Sequence, residues 1–235
     1  MASNTGSAKD RAALAGAGLV ESGMVVGLGS GSTAALMVRH LAARVEQEGL
    51  KVVGVPTSAA TAELARSLKI PVRALDEVAL LDLNLDGADE IDPQFRMIKG
   101  RGGALLREKI VACASARRVT MVTAEKLVER LGRTAPIPIE VSTFGVKHTE
   151  RLIQRLGAST SIRCHADGSL ILTDGGNAIL DCHFRDEIDP GERDRQLQAI
   201  AGVLETGLFI GLCDTLIVGR DLDVEVITTG AERRP

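Results

Sequence analysis

Aromatic residues are scarce in this chain, which has four phenylalanines but no tryptophan or tyrosine among its 235 residues. Single-stranded nucleic acids are usually held by stacking their bases on aromatic side chains, so this scarcity argues against that mode of binding. The formal net charge of −3, with no run of Lys or Arg, gives no field that would attract a polyanion. We therefore expect no nucleic-acid partner.

The chain also lacks a C-x-x-C motif and any apolar run long enough to span a membrane. Its N-terminus does not read as a signal peptide, so we expect a cytoplasmic protein without a membrane partner. Adjacent residues on a strand face opposite ways, so Cys-His dipeptides do not predict a metal site. The cysteines are instead predicted to be reduced core thiols of a cytosolic protein: Cys113, Cys164, Cys182 and Cys213.

Short apolar strands alternate with helical segments through the first half of the chain. The strand patterns fall at 24–28, 51–55, 81–86 and 119–122. Strands separated by helices of this length are typical of a parallel sheet with right-handed crossovers. The sequence therefore predicts an α/β fold with a Rossmann-like, doubly wound, mostly parallel sheet.

The pattern changes after Gly132, where prolines, short strands and Asp-Gly turns replace the regular alternation. We predict a small α+β, ferredoxin-like domain over 133–206, with strands near 137–141, 159–165, 170–173 and 178–182. The apolar stretch 207–227 is predicted to return to the main sheet. The predicted domains are thus 1–132 plus 207–235, and 133–206.

A glycine loop at 29–33, Gly-Ser-Gly-Ser-Thr, lies between a predicted strand and a predicted helix. Free backbone N–H groups at such a helix start favour anions. A dinucleotide site would need an acidic residue after the next strand, which ends in Val55-Pro56-Thr57, and a P-loop would need a lysine. The loop alone fits equally a cradle for one phosphate or carboxylate and a tight turn that caps the helix.

Carboxylates and a lysine gather after the strand 81–86. Asp86, Asp89 and Glu90 follow its carboxyl end, where open α/β sheets place their ligands, and Lys99 precedes a second glycine run. Glu108 comes one turn into the next helix. Each residue alone fits a solvated turn or helix face, but together with an anion cradle they favour a site that moves protons on a small anion.

These blocks closely resemble type A ribose-5-phosphate isomerase over residues 9–227. The matching motifs, in chain order, are V-G-L-G-S-G-S-T-A, V-P-T-S-x-x-T, D-G-A-D-E-I-D, M-I-K-G-R-G-G-A-L-L-R-E-K, P-I-P-I-E-V, T-D-G-G-N and E-T-G-L-F. The departures are Ser30, where threonine is common, and Arg101 within the glycine run.

The resemblance implies an enzyme that interconverts ribose 5-phosphate and ribulose 5-phosphate through an enediolate, without a metal or other cofactor, and forms a homodimer. It implies Glu108 as the base that moves a proton between C2 and C1, Lys99 as the charge that stabilises the oxyanion, and Asp86 and Asp89 as further acid/base groups. The substrate-binding residues it implies are Lys9, Ser30, Gly31, Ser32, Thr33, Asp86, Gly87, Ala88, Asp89, Lys99, Gly100, Arg101, Gly102 and Lys126.

Two other functions stay open at this point. An aminosugar-phosphate isomerase/deaminase would also use a glycine loop and carboxylates, but no histidine lies near the candidate residues. A non-catalytic sugar-phosphate sensor would need the cradle without the base. Such a module normally carries a DNA-binding helix pair, and only about twenty residues precede the first predicted strand.

Overall fold

The computed structural model describes residues 7–229, and the elements below lie within that range. The helices are α1 Ala8–Gly18, α2 Ser32–Glu48, α3 Ala59–Ser67, α4 Leu105–Cys113, α5 Val146–Gln154 and α6 Pro190–Gln198. The strands are β1 Val25–Leu28, β2 Val53–Pro56, β3 Leu81–Asp86, β4 Glu90–Ile91, β5 Met97–Ile98, β6 Ser115–Thr123, β7 Ile137–Val141, β8 Ala158–Ile162, β9 Ala178–Phe184, β10 Val203–Thr206, β11 Leu208–Phe209, β12 Thr215–Gly219 and β13 Val224–Thr228.

Tertiary contacts divide the chain into two compact units. The first unit comprises 1–88, 110–127 and 211–235, and the second comprises 89–109 and 128–210. The first contains a six-stranded sheet in the order β13-β12-β6-β3-β1-β2, parallel except for the edge strand β13. Helix α1, α2 and the sheet share a core that includes Leu28, Met37, Leu41, Leu85 and Met121. The predicted doubly wound, mostly parallel sheet is confirmed.

The strand order of this sheet reverses between β1 and β3. The chain passes from β1 through α2 to β2 on one side, and β3 then pairs with the other side of β1. In open α/β sheets, ligands bind at the carboxyl ends of the strands at such a reversal. The glycine loop 29–33 follows β1 at this point, and Asp86 is the last residue of β3.

The second unit contains an antiparallel sheet in the order β10-β7-β9-β8. With α5 between β7 and β8, and α6 between β9 and β10, the element order is βαββαβ, as predicted for a ferredoxin-like fold. Its core includes Ile98, Ile139, Val141, Ile153 and Leu180. A separate three-stranded sheet has the order β11-β5-β4.

The two units differ from the predicted domains in the assignment of residues 89–109, 128–132 and 207–210. Residues 89–109 lie in the second unit because β4 and β5 pair with each other and with β11, not with the parallel sheet. The second unit begins its later segment at 128 and runs to 210, so the return to the main sheet starts at 211. Residues 170–173 form isolated bridges, through Leu170 and Leu172, where a strand was predicted.

The prediction that all the cysteines are core thiols was wrong for two of them. Cys182 and Cys213 are buried, whereas Cys113 and Cys164 are exposed, and all four are free. Burial raises the pKa of the Cys213 thiol to about 11 and raises that of Cys182 further. Between residues 7 and 229, no helix is both long and apolar enough to cross a membrane.

Candidate active site

The glycine loop after β1 packs directly against Asp86 at the end of β3. The N–H of Gly29 donates to the Leu85 carbonyl at 3.0 Å, and the N–H of Ser30 donates to Asp86 Oδ1 at 3.2 Å. A Cβ on Gly29 would lie 2.7 Å from the Asp86 Cα and nearer still to its carboxylate. Glycine at position 29 is therefore what lets the two loops approach.

The same loop starts helix α2 with a bare N-terminus. Gly31 at the N-cap has φ +95°, a left-handed conformation that favours glycine, and no side chain caps the helix. The first N–H groups of a helix have no partner within it. In α2, which runs from Ser32 to Glu48, these include the N–H groups of Ser32 and Thr33. Lys9 adds a positive charge, because its Nζ donates to Ser32 Oγ at 3.0 Å. The geometry suits an anion.

Ser30 has a different environment from its neighbours in the loop. Its hydroxyl lies 2.7 Å from Thr57 Oγ1 and 2.8 Å from Ser58 Oγ. Thr61 Oγ1 in turn donates to the Gly29 carbonyl at 3.0 Å. The V-P-T-S-x-x-T motif thus fixes the conformation of the glycine loop, a supporting role that the sequence did not reveal because these residues are about 30 positions apart.

Lys126 lies in the 3₁₀ turn Ala124–Lys126, directly after the central strand β6, and is half-buried. Next to it, the pKa of Glu125 lies below its usual value, mainly because the Thr123 hydroxyl hydrogen-bonds to the carboxylate. The charges of Lys126 and Lys9 lower it further. Glu125, which the sequence did not single out, therefore lies within electrostatic reach of both predicted phosphate lysines.

In the second unit, Lys99 and Glu108 form a buried ion pair. Lys99 Nζ lies 3.4 Å from Glu108 Oε2. Glu108 is in the first turn of α4, and its N–H donates to the Ala104 carbonyl at 2.9 Å. A carboxylate in the first turn is stabilised by the helix dipole as well as by the lysine. The arrangement provides a carboxylate base beside a fixed positive charge.

The loop between Lys99 and α4 is held from two sides. Asp89 Oδ2 accepts a hydrogen bond from the N–H of Arg101 at 2.9 Å. Arg163 Nη1 donates to the carbonyls of Gly100 and Arg101 at 2.9 and 3.1 Å, and its other nitrogens form a double contact with Asp181. Sequence reasoning missed Arg163 and Asp181, which lie in the antiparallel sheet region far along the chain.

The T-D-G-G-N motif, residues 173–177, contacts the first turn of α4. Arg107 donates to the carbonyl of Asp174 at 3.0 Å and lies 3.3 Å from its carboxylate. Glu140, which is buried on β7, accepts hydrogen bonds from Thr173 Oγ1 at 2.8 Å and Asn177 Nδ2 at 2.9 Å. The turn that contacts Arg107 is thereby tied to the antiparallel sheet.

Glu90, which the sequence grouped with the other carboxylates, has a structural role. It is 1% exposed and accepts hydrogen bonds from the N–H groups of Gly132, Thr134 and Ala135 at 2.6 to 2.7 Å. The Thr134 hydroxyl donates to it as well. Its lone pairs are therefore used to hold the loop before β7.

A cavity of about 730 Å³ in the second unit is bordered by the loop before β7 and by the segment before α6. Most of its charged lining residues are paired with one another. Arg96 pairs with Asp189, Arg130 with Glu187 and Arg193 with Asp186. Between residues 7 and 229, no three His, Cys, Asp or Glu side chains are grouped so as to hold a metal ion. The charges around this cavity connect segments of the unit to one another.

The predicted site residues thus fall into two sets. Those in the first unit are Lys9, Ser30, Gly31, Ser32, Thr33, Asp86, Gly87, Ala88 and Lys126. Those in the second unit are Asp89, Lys99, Gly100, Arg101, Gly102 and Glu108. Within the first set, Gly87 joins Ser30 in donating its N–H to Asp86 Oδ1, at 2.7 Å. Each set has the groups expected of it: an anion cradle in the first, a base and a cation in the second.

Comparison with known proteins gives a consistent result. The family model for ribose 5-phosphate isomerase A (phosphoriboisomerase A) matches residues 53–222. The chain is 52% identical over 217 residues to the ribose-5-phosphate isomerase A of Roseiflexus castenholzii, covering 92% of this chain and 93% of that one. It is 49% identical over 224 residues to the same enzyme of Gloeobacter violaceus, covering 95% and 96%.

Solved structures resemble the fold equally well. The structure of ribose 5-phosphate isomerase A from Methanocaldococcus jannaschii has a TM-score of 0.90 and 37% identity, over 94% of this chain and 98% of that one. A D-ribose-5-phosphate isomerase in complex with phospho-erythronic acid has a TM-score of 0.91 and 35% identity, over the same shares of the two chains.

Proposed function

Because the chain belongs to the ribose 5-phosphate isomerase A family, we propose that Glu108 and Lys99 carry out its reaction on a phosphate held at the start of α2. The chain is an aldose–ketose isomerase that interconverts D-ribose 5-phosphate and D-ribulose 5-phosphate, a step of the non-oxidative pentose phosphate pathway. The observation that supports the residue assignment best is the buried Lys99–Glu108 pair.

The proton transfer requires one base that serves two neighbouring carbons. The Glu108 carboxylate takes the proton from C2 of the open-chain aldose. The electrons of that C–H bond form the C1=C2 bond of an enediolate, while the π electrons of the C1=O bond move to O1. The same carboxyl then returns the proton to C1, while the proton of the C2 hydroxyl moves to O1. A well-placed general base contributes about 10²–10⁴-fold to the rate. Burial of Glu108 keeps water from competing for that proton.

The negative charge that develops on the substrate oxygens needs fixed positive groups. Lys99 supplies a full charge. The backbone N–H groups of Gly100 and Gly102 can add dipoles, since those of Lys99, Arg101 and Gly103 already donate to Gly207, Asp89 and Gly100. These groups are fixed before the reaction begins, because Arg163 and Asp89 hold the loop, so they need little reorganisation in the transition state.

The phosphate group is assigned to the N-terminus of α2. A phosphate bound there would be surrounded by the N–H groups and hydroxyls of Ser32 and Thr33. The Lys9 ammonium, 3.0 Å from Ser32 Oγ, adds a positive charge to this site. Lys126 adds a second positive charge in the same unit, and Gly31 allows the turn. Ser30 acts indirectly, through the hydroxyl cluster that fixes the loop.

Asp86 and Asp89 are proposed to serve ring opening and the proton movement between O1 and O2. The N–H groups of Ser30 and Gly87 hold the Asp86 carboxylate in place by donating to its Oδ1. The phosphorylated acid bound by a related isomerase is consistent with an enediolate intermediate, since the carboxylate of an aldonic acid resembles a planar enediolate. The reaction as written needs no metal, so we expect activity to survive EDTA.

The alternatives of a sugar-phosphate sensor and an aminosugar-phosphate isomerase/deaminase are not favoured for a member of this family. A homodimer and a cytoplasmic location are proposed from the family resemblance, and the four free cysteines are consistent with the latter. Sedimentation of the purified protein at several concentrations would test the dimer.

The decisive experiment is a coupled assay for ribulose 5-phosphate formation with the wild type and the Glu108→Gln variant. Glu108→Gln keeps the size of the side chain and removes the base, so kcat should fall about 10²–10⁴-fold while phospho-erythronic acid still binds. Equal losses of analogue binding and rate would show that Glu108 is structural, and an inactive wild type would refute the function.

A further inference from the structure

The ring of Phe209 lies beside the Lys99 ammonium. Lys99 Nζ is 5.4 Å from the ring centroid, within the range of a cation–π interaction. Phe209 is one of only four aromatic residues in the chain and is 1% exposed. The Phe209 ring therefore contacts one member of the buried ion pair, Lys99, without neutralising the positive charge of that lysine.

The backbone fixes this contact before any side chain is considered. In β11, Phe209 pairs with Met97 and Leu208 pairs with Ile98, the two residues that precede Lys99. The N–H of Lys99 donates to the Gly207 carbonyl at 2.9 Å. A Cβ on Gly207 would lie 2.3 Å from the Lys99 carbonyl oxygen, so this close approach requires glycine. The E-T-G-L-F motif is thereby held against M-I-K.

A second lysine near the ring has a carboxylate of its own. Lys109 Nζ lies 5.0 Å from the same centroid and donates to Glu205 Oε1 at 2.7 Å. The N–H of Thr206 and the side chain of Gln198 donate to that oxygen too. The two lysines at the ring thus have different carboxylate partners: Lys109 pairs with Glu205, and Lys99 pairs with Glu108.

We propose that Phe209 is a positioning residue for the isomerisation, whose ring keeps the Lys99 ammonium charged and directed at Glu108 and the substrate oxygen. At 3.4 Å the Lys99–Glu108 contact is longer than a usual charge-assisted hydrogen bond. A second carboxylate would hold Lys99 in place but would also neutralise it. A ring stabilises the cation through its quadrupole without cancelling its charge, which leaves that charge available for the oxyanion.

This inference rests on the proposed function, and fluorination of Phe209 tests it. Site-specific replacement with monofluoro-, difluoro- and trifluorophenylalanine weakens the negative face of the ring stepwise and changes its shape little. We expect kcat to fall stepwise, by about 3–10-fold in total, with KM for ribose 5-phosphate within about twofold of wild type. A merely structural ring would leave kcat unchanged along the series.

Phe184 offers a matched control, because its ring contacts a cation, the Arg193 guanidinium at 4.0 Å, but belongs to the cavity described above. The same fluorinated series at Phe184 should leave kcat unchanged. A flat kcat along the Phe209 series, or an equal decline along the Phe184 series, overturns the proposal.

A measurement that does not depend on turnover separates this inference from the proposed function. The Lys99 side chain is titrated by NMR in protein labelled with ¹³C at lysine Cε, with Glu108, Lys109 and Glu205 as its charged neighbours. The midpoint should move to lower pH as the ring is fluorinated, because the ring favours the charged form. An inactive wild type with this shift would refute the function alone, and an active wild type without it would refute the role of Phe209.

Discussion

The Lys99 ammonium nitrogen lies 3.4 Å from Glu108 Oε2, and each of the two side chains is 6% exposed. Taking two charges out of water is costly, and a buried pair often stabilises a protein no better than well-packed apolar residues would. The pair is therefore poorly explained by stability. It is well explained by chemistry that needs a base and a cation at neighbouring atoms.

Breaking this pair from one side should be worse for stability than removing both charges. Lys99→Met leaves Glu108 buried without the lysine, so we expect the free energy of unfolding to fall by about 3–5 kcal/mol. The double variant Lys99→Met/Glu108→Gln should regain most of that loss in urea unfolding. Its kcat should remain low, since removing one oxyanion-stabilising group alone costs about 10²–10³-fold. Additive losses of stability would contradict a direct coupling between the two charges.

Lys9 should affect binding of the phosphate but not the chemistry. The phosphate keeps its charge throughout the reaction, so Lys9→Met should raise KM about 3–10-fold and leave kcat within about twofold. The effect should shrink at high salt, because Lys9 is near the surface. Lys51→Met, at an exposed lysine of the same unit, is the control. A lower kcat with an unchanged KM would place Lys9 in the chemistry instead.

The cysteines should divide into two classes by reactivity. Alkylation requires the thiolate, and burial raises the pKa of Cys213 to about 11, so only about one molecule in a thousand is ionised there at pH 8. Brief iodoacetamide treatment at pH 8, followed by peptide mass spectrometry, should label Cys113 and Cys164. Unfolding in urea should expose all four. Equal labelling of Cys213 in the folded protein would refute the described burial.

The strongly patterned elements were predictable from the sequence. The strand Leu81–Asp86 alternates apolar and polar residues and has the predicted bounds, as does Ile137–Val141. Ser58 caps helix α3 because its hydroxyl accepts the Thr61 N–H, and a serine directly before a helical segment is the residue type that favours such a cap. Local periodicity and capping are properties of neighbouring residues, which is why they can be recognised in one chain.

The elements that the sequence did not reveal depend on distant partners. The strands Glu90–Ile91, Met97–Ile98 and Leu208–Phe209 have two residues each, too few for a periodic pattern, and they exist because they pair with one another. The same holds for the contacts of the site. Lys109 finds Glu205 almost one hundred positions away, and no spacing rule predicts such a contact.

Glu90 gives the clearest test of a residue that the sequence grouped with the site and the structure uses elsewhere. Glutamine has one acceptor oxygen, so in Glu90→Gln an amide NH₂ would face a backbone N–H that now donates to a carboxylate oxygen, such as that of Gly132. We expect the free energy of unfolding to fall by about 3 kcal/mol, with kcat and KM near wild type at 25 °C. Glu129→Gln, at an exposed carboxylate near the same loop, should change neither the free energy of unfolding nor kcat and KM. If Glu90→Gln instead lowered kcat without lowering stability, the carboxylate would belong to the reacting groups, and its four hydrogen bonds to the loop would be secondary.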